Sequence, residues 1–396
     1  MIANPLIIYN TDIPQSLADA ENYLAARGLP LNVVGVNFTS IGTTEPTFAE
    51  LLNGPFVVQP GTYRVNGVVT STYDGVSVLW FMYQAWYSKA LFDALLMSTY
   101  TPLRYYDGSL HRPLVSFLGA NIESTAPTWS GIIPNGRLGC PAAYASGISP
   151  TFDFTVEMTP RQGGTILEQA LINALAAEQR FNYREPHVLS STGGPYVANA
   201  APGFNAAYWP GLMSAARDRH VNITYDLCSS DYPCGSSSAN DFLNGSVAPP
   251  MPIFALCCPF NANGQAGANQ GDQNLPGQHL YSNNYTVRSG GWSAHWYSWQ
   301  WFWAMDFLYN GGSAAFLTVQ EPYERGIRDP KQFLVGMMDQ GISLAECLQT
   351  SVSPAADSYY SVMYIDHQTV VGDPLYRPYA TRAPLPGAAY PPGFLV

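Results

Sequence analysis

The sequence predicts an α/β protein with a mainly parallel sheet, helices on both faces of that sheet, and long loop insertions. The chain opens with an apolar segment over residues 5–9, a helical pattern that starts near Pro14, and a second apolar segment over residues 32–38. A strand, a helix and a strand in this succession form a βαβ unit, which starts a parallel sheet. Strand and helix patterns alternate again in the second half of the chain, and the 47% of apolar residues supply a large core.

The first helix has sequence signals at both of its ends. Ser16 is followed three residues later by Asp19, which is typical of a capping box, and Gly28 before Pro30 predicts the end of the helix. Three apolar residues recur on one face between these signals: Leu17, Ala20 and Leu24. We therefore expect one amphipathic helix between two strands.

Further elements follow from local patterns. Strands are predicted over residues 65–72, 76–81, 114–118, 152–158, 221–227, 252–257 and 313–319. Helices are predicted over residues 88–97, 209–219, 296–309, 330–339 and 343–350, and from the capping box of Thr165 and Glu168 to about Arg180. We expect four segments to lie in one sheet, namely residues 7–9, 33–36, 253–256 and 314–319.

The pattern favours a single domain over residues 1–379. Two segments near residues 119–150 and 261–278 are rich in small and polar residues, lack periodicity, and are predicted to be loop insertions. Residues 380–396 form a proline-rich tail. We expect this tail to be extended and to pack against another copy or another protein.

Charge is scarce in this chain. Charged residues make up 11% of the sequence, the formal net charge is −11, and two lysines occur, Lys89 and Lys331. Because affinity for phosphate backbones comes mostly from basic side chains, nucleic acid is not the expected partner. A surface with few lysines and many tyrosines and asparagines favours contact with copies of itself or with other subunits of an assembly.

Neither a membrane-spanning segment nor a signal peptide is predicted. The longest aromatic run, over residues 292–303, is interrupted by Ser, His and Gln and is shorter than a membrane span. The first residues lack the basic and apolar regions of a signal peptide. The sequence leaves the cellular location open, and an extracellular or virion-associated setting is a hypothesis.

The six cysteines indicate no metal site, and we expect no cofactor. Cys228 and Cys234 flank a short turn and are candidates for a disulfide. The spacing contains no CxxC pair and no paired histidines accompany it, so structural zinc is not expected.

Three parts of the chain carry a family resemblance. They read IIYN at residues 7–10 with AARGLP at residues 25–30, GGSAAFLTVQEPY at residues 311–323, and VGDPLYRP at residues 371–378. Together they resemble an uncharacterised bacterial family with a GDPLYRP motif near its C-terminus, which is related to the gingipain-type cysteine peptidases. The resemblance implies a caspase-like, gingipain-like α/β fold over most of the chain, and it implies no particular activity.

In the related peptidases, one strand ends near the catalytic histidine and the next ends near the catalytic cysteine. Here the strand in the histidine's place ends in Cys257 and Cys258, and the following segment over residues 288–292 lacks a cysteine, so the expected dyad is not in its place. If the site is active, Cys258 with His295 is the best pair, because a nearby base activates a thiol. The alternative is a buried cysteine and a histidine packed among tryptophans.

Four tryptophans recur with spacings of four, three and four residues, namely Trp292, Trp296, Trp299 and Trp303. This spacing predicts one stripe along a helix. An exposed stripe would suit a sugar ring or a protein surface, so a glycan is an alternative ligand. The apolar residues around the stripe favour burial in the core instead.

Two acidic residues, Glu321 and Asp373, each follow a predicted strand, where α/β proteins often place a site. We favour a structural role for both. Asp373 then caps the turn before Pro374, and Glu321 forms an ion pair with Arg325 or Arg328.

These observations favour a non-catalytic structural or binding protein, a subunit of a large extracellular or virion-type assembly. The displaced dyad, the low charge and the proline-rich tail carry this expectation. The alternatives are a cysteine peptidase that uses Cys258 and His295, and a carbohydrate-binding protein that uses exposed tryptophans.

Overall fold

The computed structural model describes residues 3–38, 46–87, 92, 94–102, 104–106, 111–113, 143–144, 160–191, 214–221, 223–227, 253–258, 287–295, 307–308, 310–318, 334–350 and 368–381. Within these residues, the strands form two six-stranded sheets and one two-stranded ribbon. The chain is a mixed α/β protein.

The first sheet is built from the N-terminal part of the chain. The first eight strands are β1 (Pro5–Asn10), β2 (Val33–Val36), β3 (Arg64–Val65), β4 (Val68–Val69), β5 (Ala94–Met97), β6 (Arg104–Tyr106), β7 (His111–Pro113) and β8 (Ala143–Tyr144). β6 and β7 form the ribbon, and the other six lie in the order β4-β3-β2-β1-β5-β8. β1 runs parallel to β2 and β5, and β5 runs parallel to β8. β3 is antiparallel to both β2 and β4.

The second sheet is built from the C-terminal part. Its strands are β9 (His187–Ser191), β10 (Ile223–Leu227), β11 (Ile253–Cys258), β12 (Val287–His295), β13 (Gly312–Thr318) and β14 (Gln368–Gly372). They lie in the order β10-β9-β11-β12-β13-β14. The pairings from β10 to β13 are parallel, and β14 is antiparallel to β13.

The expectation of one common sheet is wrong. Residues 7–9 and 33–36 lie in the first sheet, whereas residues 253–256 and 314–318 lie in the second. The burial pattern explains the error, because β1 and β2 are buried along their whole length. A strand that is apolar on both faces shows that it belongs to a covered sheet, but it does not show which strands are its neighbours.

Helix α1 (Pro14–Arg27) forms where the sequence predicts it, but it begins differently. The N-cap residue is Ile13, and Pro14 occupies the first turn, so Ser16 lies inside the helix. The Ser16 hydroxyl accepts a hydrogen bond from the Asn10 backbone and donates one to the Thr99 carbonyl. At the other end, Gly28 adopts the left-handed conformation that the sequence predicts for it.

Two elements between residues 76 and 97 are the reverse of the prediction. Helix α3 (Val78–Tyr87) begins inside the predicted strand over residues 76–81, after the short helix α2 (Phe48–Asn53). Strand β5 replaces the end of the helix predicted over residues 88–97. Residues 78–87 read VLWFMYQAWY, which is apolar on all sides, so periodicity does not separate a helix from a strand there.

Two later helices form close to their predicted positions. Helix α4 (Pro160–Glu178) begins before Thr165, so the predicted capping box lies within the helix. Helix α5 (Leu344–Thr350) follows a π-helical turn at Gly336–Gln340. Ser343 and Glu346 form the capping box of α5, with the Ser343 amide donating to the Glu346 carboxylate over 2.8 Å.

The hydrophobic core joins the two sheets. One cluster of buried side chains includes Ile7 and Leu96 from the first sheet and Phe254 and Trp292 from the second. Helix α1 packs on β1 and also contacts α4, and α4 packs on β12 and β13. The contact between α1 and α4 therefore connects the first sheet to the second.

Several predicted features lie outside the described residues. They are the strands over residues 114–118 and 152–158, the loop over residues 261–278, most of the loop over residues 119–150, and residues 382–396 of the tail. None of the described helices has the length and apolar character needed to cross a membrane.

The fold predicts a thiol that does not react while the protein is native. Cys347 of α5 is fully buried, and burial together with the nearby Glu346 carboxylate raises the pKa of its thiol well above the ordinary value. We expect Ellman's reagent to leave Cys347 unmodified in the native protein and to modify it after unfolding in guanidinium chloride. Rapid modification under native conditions, mapped by mass spectrometry, would show that α5 opens and would contradict the packing described here.

Candidate functional site

The carboxyl ends of β11 and β12 bring together the two residues of the candidate pair. Cys257 is paired with Ala294, and Cys258 is paired with His295, across parallel strands. Cys258 and His295 are the last residues of their strands. Because neighbouring strands lie about 5 Å apart, the backbone places the two residues side by side at this edge of the sheet.

This register corrects one step of the sequence analysis. Residues 288–292 form the beginning of β12 rather than its end, since the strand continues to His295. The place that the peptidase resemblance assigns to a cysteine is held by a histidine, and the neighbouring strand ends in a cysteine. The Cys258 and His295 side chains lie outside the described part of the chain.

The strand order places this pair near a reversal of connectivity. From β9 the chain passes to β10 on one side of that strand and later to β11 on the other side. In open α/β sheets, ligands bind beyond the carboxyl ends of the strands at such a reversal. β9 ends at Ser190 and Ser191, just past the last residues that pair it with β11. The candidate pair therefore lies where folds of this class hold their sites.

An irregular segment at the start of β12, the arch (residues 288–291), determines which residues pair further along. Ile253 is paired with Val287, and Ala255 is paired with Trp292, so β11 advances by two residues while β12 advances by five. The arch contains the three additional residues of β12. After the arch, the pairing continues without interruption to Cys258 and His295.

Two glycines make the arch possible. Gly290 has a φ of +85°, and a Cβ at this position would lie 2.2 Å from the Cβ of Ala177 in α4. A Cβ at Gly291 would lie 2.9 Å from the Phe254 carbonyl oxygen of β11. Any larger residue would push the arch away from α4 or from β11.

A buried ion cluster (Arg27, Glu178 and Asp373) joins residues of α1 and α4 to the residue that follows β14. Arg27 Nη1 donates to both Glu178 carboxylate oxygens, at 3.0 and 2.9 Å, and Arg27 Nη2 donates to Asp373 Oδ2. The three side chains are 7%, 8% and 0% exposed. Tyr23 donates its hydroxyl to Asp373 Oδ1 over 2.7 Å. α1, α4 and the segment after β14 therefore meet at one guanidinium.

Burial and charge compete in this cluster. Burial raises the pKa of Glu178, whereas Arg27 and the Arg377 amide lower it, and the net direction is upward. Burial disfavours the charge on Arg27, but the Asp373 and Glu178 carboxylates outweigh this effect and raise the pKa of the guanidinium. Burial and the Asp373 carboxylate raise the pKa of the Tyr23 hydroxyl well above its ordinary value. Arg27 therefore stays charged.

The structure gives Asp373 a structural place. Asp373 Oδ1 accepts a hydrogen bond from the Leu375 amide over 3.1 Å, which closes a turn around Pro374. Its other oxygen binds Arg27, and the side chain has no exposed surface. A substrate therefore has no access to this carboxylate. Glu321, the other acidic candidate, lies outside the described residues.

A second group of buried side chains connects β9 and β12 to the last residue of the motif segment, which is defined as residues 372–379. Trp292 donates its indole N–H to the Tyr379 hydroxyl over 3.1 Å, and that hydroxyl donates to Nε2 of His187. His187 Nδ1 then donates to the Glu185 carbonyl over 2.6 Å. This assignment of protons requires a neutral imidazole, and burial lowers the pKa of His187 to about 4.

The position of Trp292 corrects the interpretation of the tryptophan stripe. Trp292 lies in β12, not on a helix, and it has no exposed surface. It therefore contributes to the core and offers nothing to a sugar ring. Trp296, Trp299 and Trp303 lie outside the described residues, as do Cys228 and Cys234. No group of three or more His, Cys, Asp or Glu side chains is arranged to hold a metal ion among the residues with described positions.

Sequence reasoning found the motif segment but missed the residues that bind it. Arg27, Glu178 and His187 come from distant parts of the chain, and nothing in their local sequence indicates burial. One signal was available, since Arg27 belongs to the AARGLP segment that carries part of the family resemblance.

The comparisons with known proteins support the fold. No protein-family model matches this chain, and no curated protein matches it in sequence. The crystal structure of the Arg-specific cysteine proteinase gingipain R has a TM-score of 0.53 and 11% sequence identity, and the match covers 95% of this chain and 78% of that one. A complex of the pro- and mature domains of RgpB from Porphyromonas gingivalis gives the same score and identity, with 95% and 79% covered. The predicted gingipain-like fold is confirmed, whereas membership of the uncharacterised family stays a prediction.

The ion cluster predicts a large loss of stability when its cation is removed. Replacing Arg27 by Met leaves two buried carboxylates without a positively charged partner, so we expect Arg27→Met to lower the free energy of unfolding by about 3–5 kcal/mol. Urea titration followed by circular dichroism measures this change. The matched control is Arg64→Met, since Arg64 forms a part-exposed ion pair with Glu21 and its loss should cost less than about 1 kcal/mol. Equal losses in the two variants would contradict the role assigned to Arg27.

His187 predicts a pH dependence of stability. Its folded pKa of about 4 is below the ordinary value of 6.5, so the unfolded chain binds a proton between these values and the folded chain does not. The contribution to stability is fully present above pH 6.5 and is lost as the pH falls toward 4, by about 3 kcal/mol in total. In His187→Gln this part of the pH dependence should disappear, as measured by thermal unfolding from pH 7 to pH 4.

A control separates this effect from other titrating groups. His220 is exposed and has a φ of 56°, which asparagine tolerates, so His220→Asn should keep the pH dependence of the unaltered protein. If His187→Gln and His220→Asn change the profile to the same extent, the buried imidazole is not its source.

Proposed function

We propose that this protein is a thiol-dependent hydrolase of acyl bonds, in which Cys258 is the nucleophile and His295 is the general base. The observation that carries the proposal is the pairing of these two residues at the carboxyl ends of β11 and β12. A cysteine beside a histidine is the arrangement that forms a thiolate near neutral pH. The edge of the sheet on which they lie is where α/β folds hold their sites.

The proposed reaction uses one cysteine and one histidine throughout. His295 takes the thiol proton as the Cys258 sulfur attacks the substrate carbonyl carbon. The bond from this carbon to the leaving amine then breaks, and the amine takes the proton from the imidazolium. A water molecule attacks the resulting thioester, gives its proton to His295, and releases the acid as the carbon–sulfur bond breaks and the sulfur is reprotonated.

The gingipain-like fold supports this proposal, although the two residue types are exchanged between the strands. In the related peptidases the histidine precedes the cysteine along the chain, whereas here Cys258 precedes His295. Catalytic groups are recognised by their geometry and their roles rather than by their order in the sequence. A pair on neighbouring parallel strands keeps the same backbone separation when its members change places, so the exchange leaves the two residues side by side.

A second candidate is the non-catalytic structural or binding role, as a subunit of an extracellular or virion-type assembly. The observation that favours it is the burial of the motif segment inside the protein, since Asp373, Tyr376 and Tyr379 have almost no exposed surface. A charge content of 11% adds to this case, because a weakly charged surface is easily desolvated against another subunit. Carbohydrate binding by the tryptophan stripe is the weaker version, since Trp292 is buried.

Alkylation kinetics test the proposed hydrolase. An ordinary thiol with a pKa near 8.5 is about 1% ionised at pH 6.5, so a thiolate stabilised by His295 should react with iodoacetamide up to about 100-fold faster. We expect mass spectrometry to show fast labelling of Cys258 in the native protein. His295→Gln should reduce the rate about 10- to 100-fold and move the midpoint of its pH profile toward 8.5.

The chain offers a matched control at the preceding position. Cys257→Ala removes the neighbouring thiol from the same strand and should leave the fast reaction unchanged, whereas Cys258→Ala should abolish it. A Cys258 that reacts no faster than an ordinary thiol, with a rate that His295→Gln does not change, would refute the hydrolase and favour the non-catalytic role.

A further inference from the structure

The pairing of Cys258 with His295 depends on how many residues the arch contains. Beyond the arch, β12 continues in register with β11 from Trp292 to His295. If the arch lost or gained one residue, Cys258 would be paired with a different residue of β12. Because successive residues of a strand face opposite sides of the sheet, such a slip would also turn the end of β12 over.

Contacts from outside the sheet hold the arch in place. The Tyr376 hydroxyl donates to the Gly290 carbonyl, and Arg180 Nη2 donates to the Ser289 carbonyl. The Gly290 amide donates to the Gly311 carbonyl over 3.3 Å. Ser289 and Gly290 are therefore hydrogen-bonded to three other parts of the chain. These are the motif segment, Arg180 just after α4, and the turn before β13.

Tyr376 is itself fixed from both sides. Its side chain is fully buried, its amide donates to the Asp373 carbonyl over 3.2 Å, and its carbonyl accepts from the Leu344 amide over 3.0 Å. The next residue, Arg377, donates its amide to Glu178 over 2.8 Å. The ion cluster and α5 thus hold the backbone that carries the Tyr376 ring, and the hydroxyl reaches the arch from a rigid base.

We propose that Tyr376 is a positioning residue, which fixes the arch of β12 and thereby keeps His295 opposite Cys258. This inference rests on the proposed hydrolase function, because it concerns the reactivity of the same pair. The GDPLYRP motif thereby has a role beyond packing in the core, namely to keep β12 in register with β11. The motif acts on the site through the register of a strand, without touching a substrate.

The variant Tyr376→Phe tests the proposal, since it removes the hydroxyl and keeps the ring. We expect the alkylation rate of Cys258 at pH 6.5 to fall about 10- to 100-fold, in line with the cost of a displacement of about 1 Å at a reacting group. The pH profile of alkylation should also move toward that of an ordinary thiol, which a purely structural loss in a protein that is still folded would not produce. Circular dichroism identifies the conditions in which the variant is folded.

The matched control is Tyr183→Phe. Tyr183 is also buried and donates its hydroxyl to a backbone carbonyl, that of Met338 rather than one in the arch, over 2.9 Å. This variant should keep the rate and the pH profile of Cys258. If Tyr376→Phe does not fold, the alkylation rate of Cys258 is measured in Arg180→Met instead. Arg180 is only partly buried, and it binds the Ser289 carbonyl, which is adjacent in the arch.

The outcomes separate this inference from the proposed function. A fast Cys258 in the unaltered protein that stays fast in Tyr376→Phe and Arg180→Met overturns the positioning role and leaves the hydrolase intact. A Cys258 that is slow in the unaltered protein overturns the proposed function, and the positioning role falls with it. Equal slowing in Tyr183→Phe and Tyr376→Phe would show a general loss of packing and would also overturn the inference.

Discussion

The Arg27 guanidinium, held between the Glu178 and Asp373 carboxylates, is the contact on which the arrangement of the two sheets depends. Arg27 ends the helix of the first βαβ unit, Glu178 ends α4, and Asp373 follows the last strand of the second sheet. Asp373 is 346 residues from Arg27 along the chain, so no local structure brings them together. The cluster forms only when both sheets and both helices are in their native positions.

The energetic character of such a cluster explains what it contributes. Taking three charges out of water is costly, and a buried ion pair seldom stabilises a protein more than well-packed apolar residues would. A wrong arrangement, however, would leave an unpaired charge in the core, which is far more costly. We interpret the ion cluster as a device for specificity: it penalises every packing of α1 against α4 except the one observed, while the surrounding hydrophobic cluster supplies the stability.

The motif segment carries this arrangement to the candidate site. Over seven residues it places Asp373 on Arg27, Tyr376 on the arch, and Tyr379 between His187 and Trp292. Together these contacts reach three elements, so one short segment fixes α1, β12 and β9 relative to one another. The motif is therefore important without being a site itself, and its burial is compatible with chemistry at the ends of β11 and β12.

The sequence by itself determined local elements, including the extent of α1 with its stop at Gly28 and three of the six strands of the second sheet, namely β10, β11 and β13. These elements follow from apolar periodicity and turn residues, which act over a few positions. The gingipain-like class of fold was instead predicted from the family resemblance of three motifs. Only the tertiary structure decided the division into two sheets, the pairing of Cys258 with His295, and the partners of Arg27. Strand neighbours are chosen by contacts between distant segments, and a register depends on backbone geometry such as the positive φ of Gly290. The local pattern of residues therefore predicts neither the strand neighbours nor the register.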